Sequence, residues 1–584
     1  MKKNIPLAQK QPGILQRAHW VLVTIYFTIL SLVFTYPLIT KITTHIIGGY
    51  DDNLYWMWLV GWFQKSLFNL HILPIHSYLL NTPYGYNLAV TEFSPLQVMI
   101  AQPFSILSSP ILGVNISLLF TFVSAGLLMY LWIYRLTKNW KAALISGSIY
   151  AFLPYHIVHF QQGQLNIAAI QWFPLYFMVF FDFLKMQKWD WKPILLTGIS
   201  LGLIALTSQY YIYMTLWVSA FIALIYWIKY DRSLILHADF WKKVLAVLVV
   251  ALPFLVVGVG PFLRLHGEGN FSAYGFNEVA HFSASITDYL LPATRQWLLG
   301  SWVGHHFPRQ LWTEATLYIG VFAAILAILG VIKRNQTNHK QIITLMLWGG
   351  LLALILSFGT NLVWMEKPVM INTPAFLSSL VKEPTMPVYL PGFLLFKFFP
   401  FYNKIRAWMR WGIFVMLFIA LAAGFGADWL MNKLTGYKRN LVFIALLSLV
   451  ILDFLPNPAT LVKIAPRSVD YWLAGQPSGG QVQLPFDESY STYNIYYTLI
   501  NDKPLVSQIN PILTNRYFVA KPVYDHFPDQ ESVNLLHKDK IRYVLLDDDY
   551  FPDQQTLISQ CQALGLRFAI DLNGISVFVV ETAP

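Results

Sequence analysis

The chain has 584 residues, of which 56% are apolar and 16% aromatic, while only 12% carry a formal charge. Ordinary soluble chains hold about 25% charged residues, so a water-soluble globular protein is excluded and an integral membrane protein is indicated. The net charge of +11 does not mark a nucleic-acid binder, because Lys and Arg gather in the short connections between apolar runs, where they report topology.

Lys2, Lys3, Lys10 and Arg17 precede an apolar run from about residue 19 to 39. That run exceeds the roughly 7 to 15 residues of a cleavable signal core, so it reads as a retained first span with a cytoplasmic N-terminus. Behind it comes GGYDDNLYWMWLVGWFQKSLF, Gly48 to Phe68, which places the carboxylates Asp51 and Asp52 at a membrane surface. Trp56, Trp58 and Trp62, interleaved with Leu54, Leu59 and Leu67, suit a short helix lying in the interface, where aromatic rings with one wet edge are favoured. Either carboxylate is also a good N-cap for that helix, so capping and catalysis are both open to the pair.

Apolar runs about one bilayer thick predict some eleven spans, at about 18 to 40, 114 to 134, 142 to 158, 166 to 184, 193 to 208, 210 to 228, 243 to 260, 315 to 332, 341 to 358, 408 to 430 and 440 to 456. Every second connection is short and basic: Arg135 with Lys138 and Lys141, Lys185 with Lys188 and Lys192, Lys229 with Arg232 and Lys242, Lys333 with Arg334 and Lys340, Lys433 with Lys438 and Arg439. A positive-inside frame then puts the N-terminus in the cytoplasm and the C-terminus outside. The long segments 41 to 113, 261 to 314 and 359 to 407 fall on the outer face, and loops of that length are usually functional. Within the first, residues 93 to 113 are apolar but carry Pro95, Pro103 and Pro110, which predicts a re-entrant or interfacial segment.

After about Pro456 the composition turns polar, dividing a membrane domain (1 to 456) from an extracytoplasmic α/β domain (457 to 584). Strands are expected at 480 to 486, 542 to 549, 566 to 572 and 575 to 581, with helices at 529 to 540 and 553 to 565. Cys561 is the only cysteine, which excludes an intramolecular disulfide and a thiolate metal site.

In their order along the chain these features resemble the bacterial polytopic glycosyltransferases of the GT-C superfold that end in an extracytoplasmic α/β domain. An Asp after the first span followed by Trp-x-x-x-Trp is similar to Asp52 with Trp58 and Trp62. LLNTPYGYNLAVTEFSPL (79 to 96) resembles that family's Tyr/Pro-rich loop, and FLPYHIVHFQQGQLNIAAIQWFPL (152 to 175) resembles its third-to-fourth span connection, carrying His156, His159, Gln164, Asn166, Gln171 and Trp172. SASITDYLLP (283 to 292) and EATLYIG (314 to 320) resemble two later landmarks. Tyr50 and Asp51 separate Gly49 from Asp52 where the family has Gly directly before its Asp, which leaves open which carboxylate matches, and KIRAWMR (404 to 410) lacks the proline common in its Arg-rich segment. The resemblance implies transfer of a sugar from a polyprenyl-phosphate carrier to an acceptor hydroxyl on the outer face, with an Asp of the first outer loop as base.

Such chemistry needs a carboxylate to take the acceptor's proton and cations to hold the departing phosphate. Asp52, with Asp51 as the alternative, is the expected base. For the phosphate the outer loops offer Arg264, Arg295, Arg309, Lys404, Arg406 and Arg410, the last two at i, i+4 and expected on one helical face. Their bland role is to anchor a helix at lipid headgroups. Gln164, Asn166 and His159 are candidate sugar contacts or, equally, span-to-span ties. Trp58, Tyr84 and Tyr86 are candidate stacking groups that an interfacial belt explains as well. A divalent ion shared by Asp51, Asp52 and another outer carboxylate such as Asp288 or Glu314 is an open alternative. The competing classes are a lipid-linked saccharide flippase, a polysaccharide polymerase and a non-enzymatic envelope assembly protein. A transporter calls for ionisable residues deep in the spans, and Asp182 and Asp428, both near cytoplasmic ends, are the carboxylates that stand out there.

Overall fold

In the computed structural model, which describes residues 14–49, 52–267, 273–307, 313–365, 367–377, 383–465, 467–487, 493–507 and 515–581, the apolar runs are helices. The first, α1 (Ile14–Phe34), is followed by a 3-10 turn at Leu38–Lys41 and a short strand, His45–Ile47. Two of its hydroxyls bond back into the helix, Thr24 to the Trp20 carbonyl and Ser31 to the Phe27 carbonyl, which satisfies them without water. Val21, Leu22, Ile25, Ile29 and Val33 form an exposed apolar stripe along it. A similar stripe of Leu245, Leu248, Val249, Leu252 and Val256 runs along a later helix. Soluble proteins rarely leave such faces open, and lipid is the solvent that covers them.

Two prolines mark helix starts rather than breaks. Pro95 opens α3 (Pro95–Leu107) and Pro110 opens α4 (Pro110–Thr137), each in the first turn, where the missing N–H would have had no partner. Pro103 lies inside α3 without ending it. At 13 residues, α3 is shorter than the roughly 20 that a bilayer requires; it packs on α2 (Asp52–Gln64) and on α4.

Among the described residues five helical segments are long and apolar enough to cross a membrane: α4, Gln209–Lys229, Ala238–Gly258, Lys340–Ser357 and Trp408–Lys433. A sixth is broken. The run expected as one span at 142 to 158 is α5 (Trp140–Ala151) and α6 (Pro154–Gln161), bent by 41°, because Pro154 cannot continue the α5 ladder. The run expected at 166 to 184 is likewise split into α7 (Leu165–Ala168) and α8 (Trp172–Leu184). Trp191–Ala205, Val321–Ile332 and Gly436–Phe454 account for the other apolar runs. Val321–Ile332 crosses Gly412–Lys433 at close range. A Cβ on Gly426 would lie 1.9 Å from the Leu326 carbonyl oxygen and one on Gly330 2.1 Å from that of Ala422, the small-residue contact that membrane helices favour.

The expectation of an interfacial α2 is corrected. Every residue from Asn53 to Phe63 is buried, and the ring of Trp58 stacks parallel to that of Trp62 at 6.1 Å. Part of the cover, beside α3 and α4, is the C-terminal part of the chain. Trp58 Nε1 donates to Thr498 Oγ1 at 3.1 Å, and a Cβ on Gly61 would meet Leu499 at 2.4 Å. Strand His45–Ile47 pairs antiparallel with Leu461–Lys463, Ile46 opposite Val462. Leu505 donates its N–H to Leu79 and accepts from that of Thr82.

Beyond this seam a four-stranded sheet runs in the order Leu566–Asp571, Ile575–Val580, Ile541–Asp547, Gly480–Leu484. The pairing is antiparallel except between the last two strands, where Val544 lies beside Val482 in parallel. Alternation sorts its side chains into two cores. Val482, Leu484, Val544, Leu546 and Phe578 pack on one face beneath Gln530–Lys538 and Gln554–Ala563; Tyr543, Leu545 and Val577 pack on the other with Val469 and Leu473.

Candidate active site

A cavity of about 760 Å3 gathers residues far apart in sequence. Its walls come from the start of α2 (Asp52, Tyr55, Trp56), from Val90 to Glu92, from Gln162 to Ile167, from the first two turns of Gln209–Lys229, from the end of Ala238–Gly258, and from the segments bearing Glu314, Lys404, Arg406 and Arg410. Of the residues singled out from the sequence, Asp52, Gln164, Asn166, Glu314, Arg406 and Arg410 are brought together here. His159 lies one layer behind.

Asp52 is the first residue of α2, where the helix's unpaired N–H groups favour a negative charge. Its Oδ2 accepts a hydrogen bond from Gln164 Nε2 at 2.8 Å. Gln164 Oε1 meets His159 Nδ1 at 2.5 Å. The two segments touch so closely because of two glycines. Gly163 adopts φ +67°, and a Cβ there would lie 2.3 Å from Asn53 Cβ; Gly48 adopts φ +94°, and a Cβ there would lie 2.5 Å from the Gln161 carbonyl oxygen. Buried Asn53 locks the turn before the helix by donating to the carbonyls of Ile47 (2.7 Å) and Gly49 (2.5 Å). Asp51 lies outside the described residues, as does Arg309.

Arg406 and Arg410 do not share a helical face. Ala407 is non-helical (φ −94°, ψ 89°) and Arg410 belongs to the 3-10 turn Trp408–Trp411, with the regular helix starting only at Gly412. Both nonetheless reach the cavity. Arg410 grips Glu314: Nε donates to Oε2 at 3.0 Å and to Oε1 at 3.2 Å, and Nη2 donates to Oε1. The Arg410 guanidinium also lies 4.9 Å from the centre of the Tyr210 ring. Burial alone would raise the Glu314 carboxyl, but the Arg410 charge and hydrogen bonds outweigh it and hold the group below its ordinary 4.5. Arg406 rests its guanidinium 4.7 Å above the ring of Phe282.

A residue not singled out from the sequence, Glu92, completes the polar wall. Its Oε1 accepts from the N–H groups of Gln209 (2.5 Å) and Tyr210 (3.1 Å) and from the Ser208 hydroxyl (2.9 Å), and its Oε2 accepts from the side-chain amide of Asn166. Desolvation in the depth of the protein nevertheless pushes this carboxyl up, against the pull of those donors and of Arg410. The signal was present: a lone acid in the loop 79 to 96 of a chain so poor in charge.

Several candidates stand elsewhere. Asp288 closes a capping box with Ser285 at Ile286–Leu290 and is fully buried; Arg295 is exposed and outside the cavity wall. Trp58 is buried inside the α2 packing, Tyr86 is buried, and Tyr84 faces Arg516 at 5.6 Å. Of the early aromatics, Tyr55 and Trp56 reach the cavity instead. Of the carboxylates named for a shared ion, Asp51 lies outside the described residues, Asp288 caps its own short helix and Glu314 pairs with Arg410. Among the described residues no three His, Cys, Asp or Glu side chains group as metal ligands.

No curated protein sequence matches the chain. Its fold resembles arabinofuranosyltransferase AftD from Mycobacteria at a TM-score of 0.58 and 11% identity, covering 98% of this chain and 40% of that one. It also resembles the apo oligosaccharyltransferase of Archaeoglobus fulgidus at a TM-score of 0.51 and 12% identity, covering 97% and 75%. The chain thus spans well under half the length of AftD. At such identities the likeness is one of fold, and that fold is the GT-C membrane architecture. Residues 18–383 match the family model described as a domain of unknown function, DUF6311, and the chain belongs to that family.

Proposed function

We propose that the protein is a membrane glycosyltransferase that moves a sugar from a polyprenyl-phosphate donor to an acceptor hydroxyl at the outer face of the cell membrane, in assembly of the cell envelope. The observation that carries this reading is one cavity holding a carboxylate, Asp52, together with the cations Lys404, Arg406 and Arg410 and the apolar group Ile212, Leu216, Leu255, Val259, Phe262 and Leu263. A sugar phosphate on an isoprenoid tail presents those same three chemistries. About 760 Å3 is the size of a small-molecule site.

In this reading Asp52 takes the proton of the acceptor hydroxyl as its oxygen attacks the anomeric carbon. The bond from that carbon to the phosphate oxygen breaks, and the phosphate leaves with the electron pair. Arg406 and Lys404 meet its charge, since Arg410 is already matched by Glu314. Phosphate needs no general acid to depart. Asn166 and Glu92 shape the wall beside the sugar. The N-terminus lies in the cytoplasm, and residues 457 to 584 form an outer domain that braces the first outer loop. The acceptor is a saccharide, lipid or protein hydroxyl.

The test is reconstitution of the full chain in liposomes with radiolabelled polyprenyl-phosphate sugars and a hydroxyl acceptor extract. Label joining the acceptor, and lost in Asp52→Asn, supports the transferase. Label crossing the bilayer unreacted would instead identify a flippase, and label growing into long chains a polymerase.

A further inference from the structure

We propose that His159 and Gln164 are positioning residues for Asp52, a hydrogen-bonded relay that fixes the orientation of the base rather than contacts to sugar; the inference rests on the transferase reading above. The logic begins at the carboxylate. An ionised carboxylate only accepts hydrogen bonds, so the Gln164 atom facing Asp52 Oδ2 at 2.8 Å is the amide nitrogen. That choice turns the amide oxygen toward His159. An amide oxygen also only accepts, so His159 Nδ1 carries the hydrogen. One chemical constraint at Asp52 thereby fixes the amide of Gln164 and the tautomer of His159.

The ring is built for this task. His159 is fully buried, stands edge to face against Tyr155 at 4.2 Å, and is absent from the cavity wall. Its remaining nitrogen, Nε2, is buried without a hydrogen-bond partner among the described residues. Histidine is thus held here for the one contact its Nδ1 makes, and it is too deep to touch a sugar. Gln164 has its oxygen turned inward to that ring and a nitrogen on Asp52. Gly163, Gly48 and Asn53 supply the rigid backing, since the contacts they permit are too close for any side chain. A base held in its plane before substrate arrives loses little on reaching the reactive geometry.

The plain alternative is that the pair ties α6 to α2 for stability alone. The two roles separate on substitution. Asn places its amide nitrogen where His carries Nδ1, so His159→Asn keeps the donor, whereas His159→Leu removes it. With full-length protein in liposomes and labelled polyprenyl-phosphate sugar as probe, His159→Leu and Gln164→Leu are expected to lower kcat about tenfold to hundredfold, with KM for the lipid donor unchanged. His159→Asn should stay within about threefold of the unaltered protein. Gln164→Glu sets a second carboxylate beside Asp52, and like charges raise proton affinity. Its rate profile should keep its shape while the acid limb moves up by about one pH unit. The other ionisable groups facing the cavity, Glu92, Glu314, His281, Lys404, Arg406 and Arg410, with Tyr55, Tyr210 and Tyr274, are left unchanged.

If Asp52→Asn abolishes transfer while His159→Leu and Gln164→Leu leave kcat intact, the relay is refuted and the transferase reading survives. Equal losses in His159→Asn and His159→Leu, or an unmoved acid limb in Gln164→Glu, likewise overturn it. Full transfer by Asp52→Asn removes both.

Discussion

Glu314 and Arg410 neutralise one another within the cavity, their side chains 8% and 9% exposed. Breaking such a pair from one side strands a charge. Arg410→Met is expected to cost about 3 to 5 kcal/mol, whereas the double variant Arg410→Met/Glu314→Gln recovers most of it. Thermal unfolding in detergent checks both. The Glu314 carboxyl lies below its ordinary 4.5 when folded, so its stabilisation is present above that value and disappears as the pH falls through the folded one. Glu314→Gln should lose this acid sensitivity.

Glu92 predicts the opposite slope. Its carboxyl is raised above the ordinary 4.5, so the folded state is favoured below that pH, and the advantage is lost as the pH climbs through the folded value. In Glu92→Gln, melting temperature should no longer fall over that rise. Equal slopes with and without Glu92 would refute the assignment.

In the proposed transferase, with Arg410 occupied by Glu314, much of the donor phosphate's charge falls to Arg406. A hydrogen bond to a charged group contributes about 1.5 to 3 kcal/mol. Arg406→Ala should therefore raise KM for the lipid-linked sugar about tenfold to hundredfold with a smaller change in kcat, and Arg406→Lys should recover part of the loss. Initial rates in liposomes decide it.

Gly163→Ala combines a left-handed backbone with a Cβ 2.3 Å from that of Asn53. It is expected to destabilise by about 1 to 3 kcal/mol and to reduce transfer by displacing Gln164. Gly49→Ala, with nothing among the described residues within 4 Å of its added carbon, is the control and should change stability by less than about 0.5 kcal/mol.

The sequence makes the helices and the C-terminal strands legible for a simple reason: apolar runs and period-2 alternation are local signals. Asp52 and the Arg406/Arg410 segment stand out because charge is scarce and both sit beside apolar runs. Convergence is another matter. That Glu314 would meet Arg410 while Asp288 turned back to cap its own short helix depends on where loops cross, and no periodicity encodes that. α2 misleads because its tryptophans fit an interface by composition, while part of the cover over it, Thr498 against Trp58 and Leu499 against Gly61, lies hundreds of residues later. Glu92 was hidden by its neighbours, since the aromatic residues of its loop draw attention first.

The pairing of His45–Ile47 with Leu461–Lys463 has a consequence for biosynthesis. The strand leading into Asp52 is made about 400 residues before its partner, which follows the helix Gly436–Phe454. Until that late segment has emerged, the early strand keeps an open edge and α2 lacks its lid. The turn that carries Asp52 therefore takes its final surroundings only after residues 461 to 499 have been made, and a product stalled before them is left with that edge open.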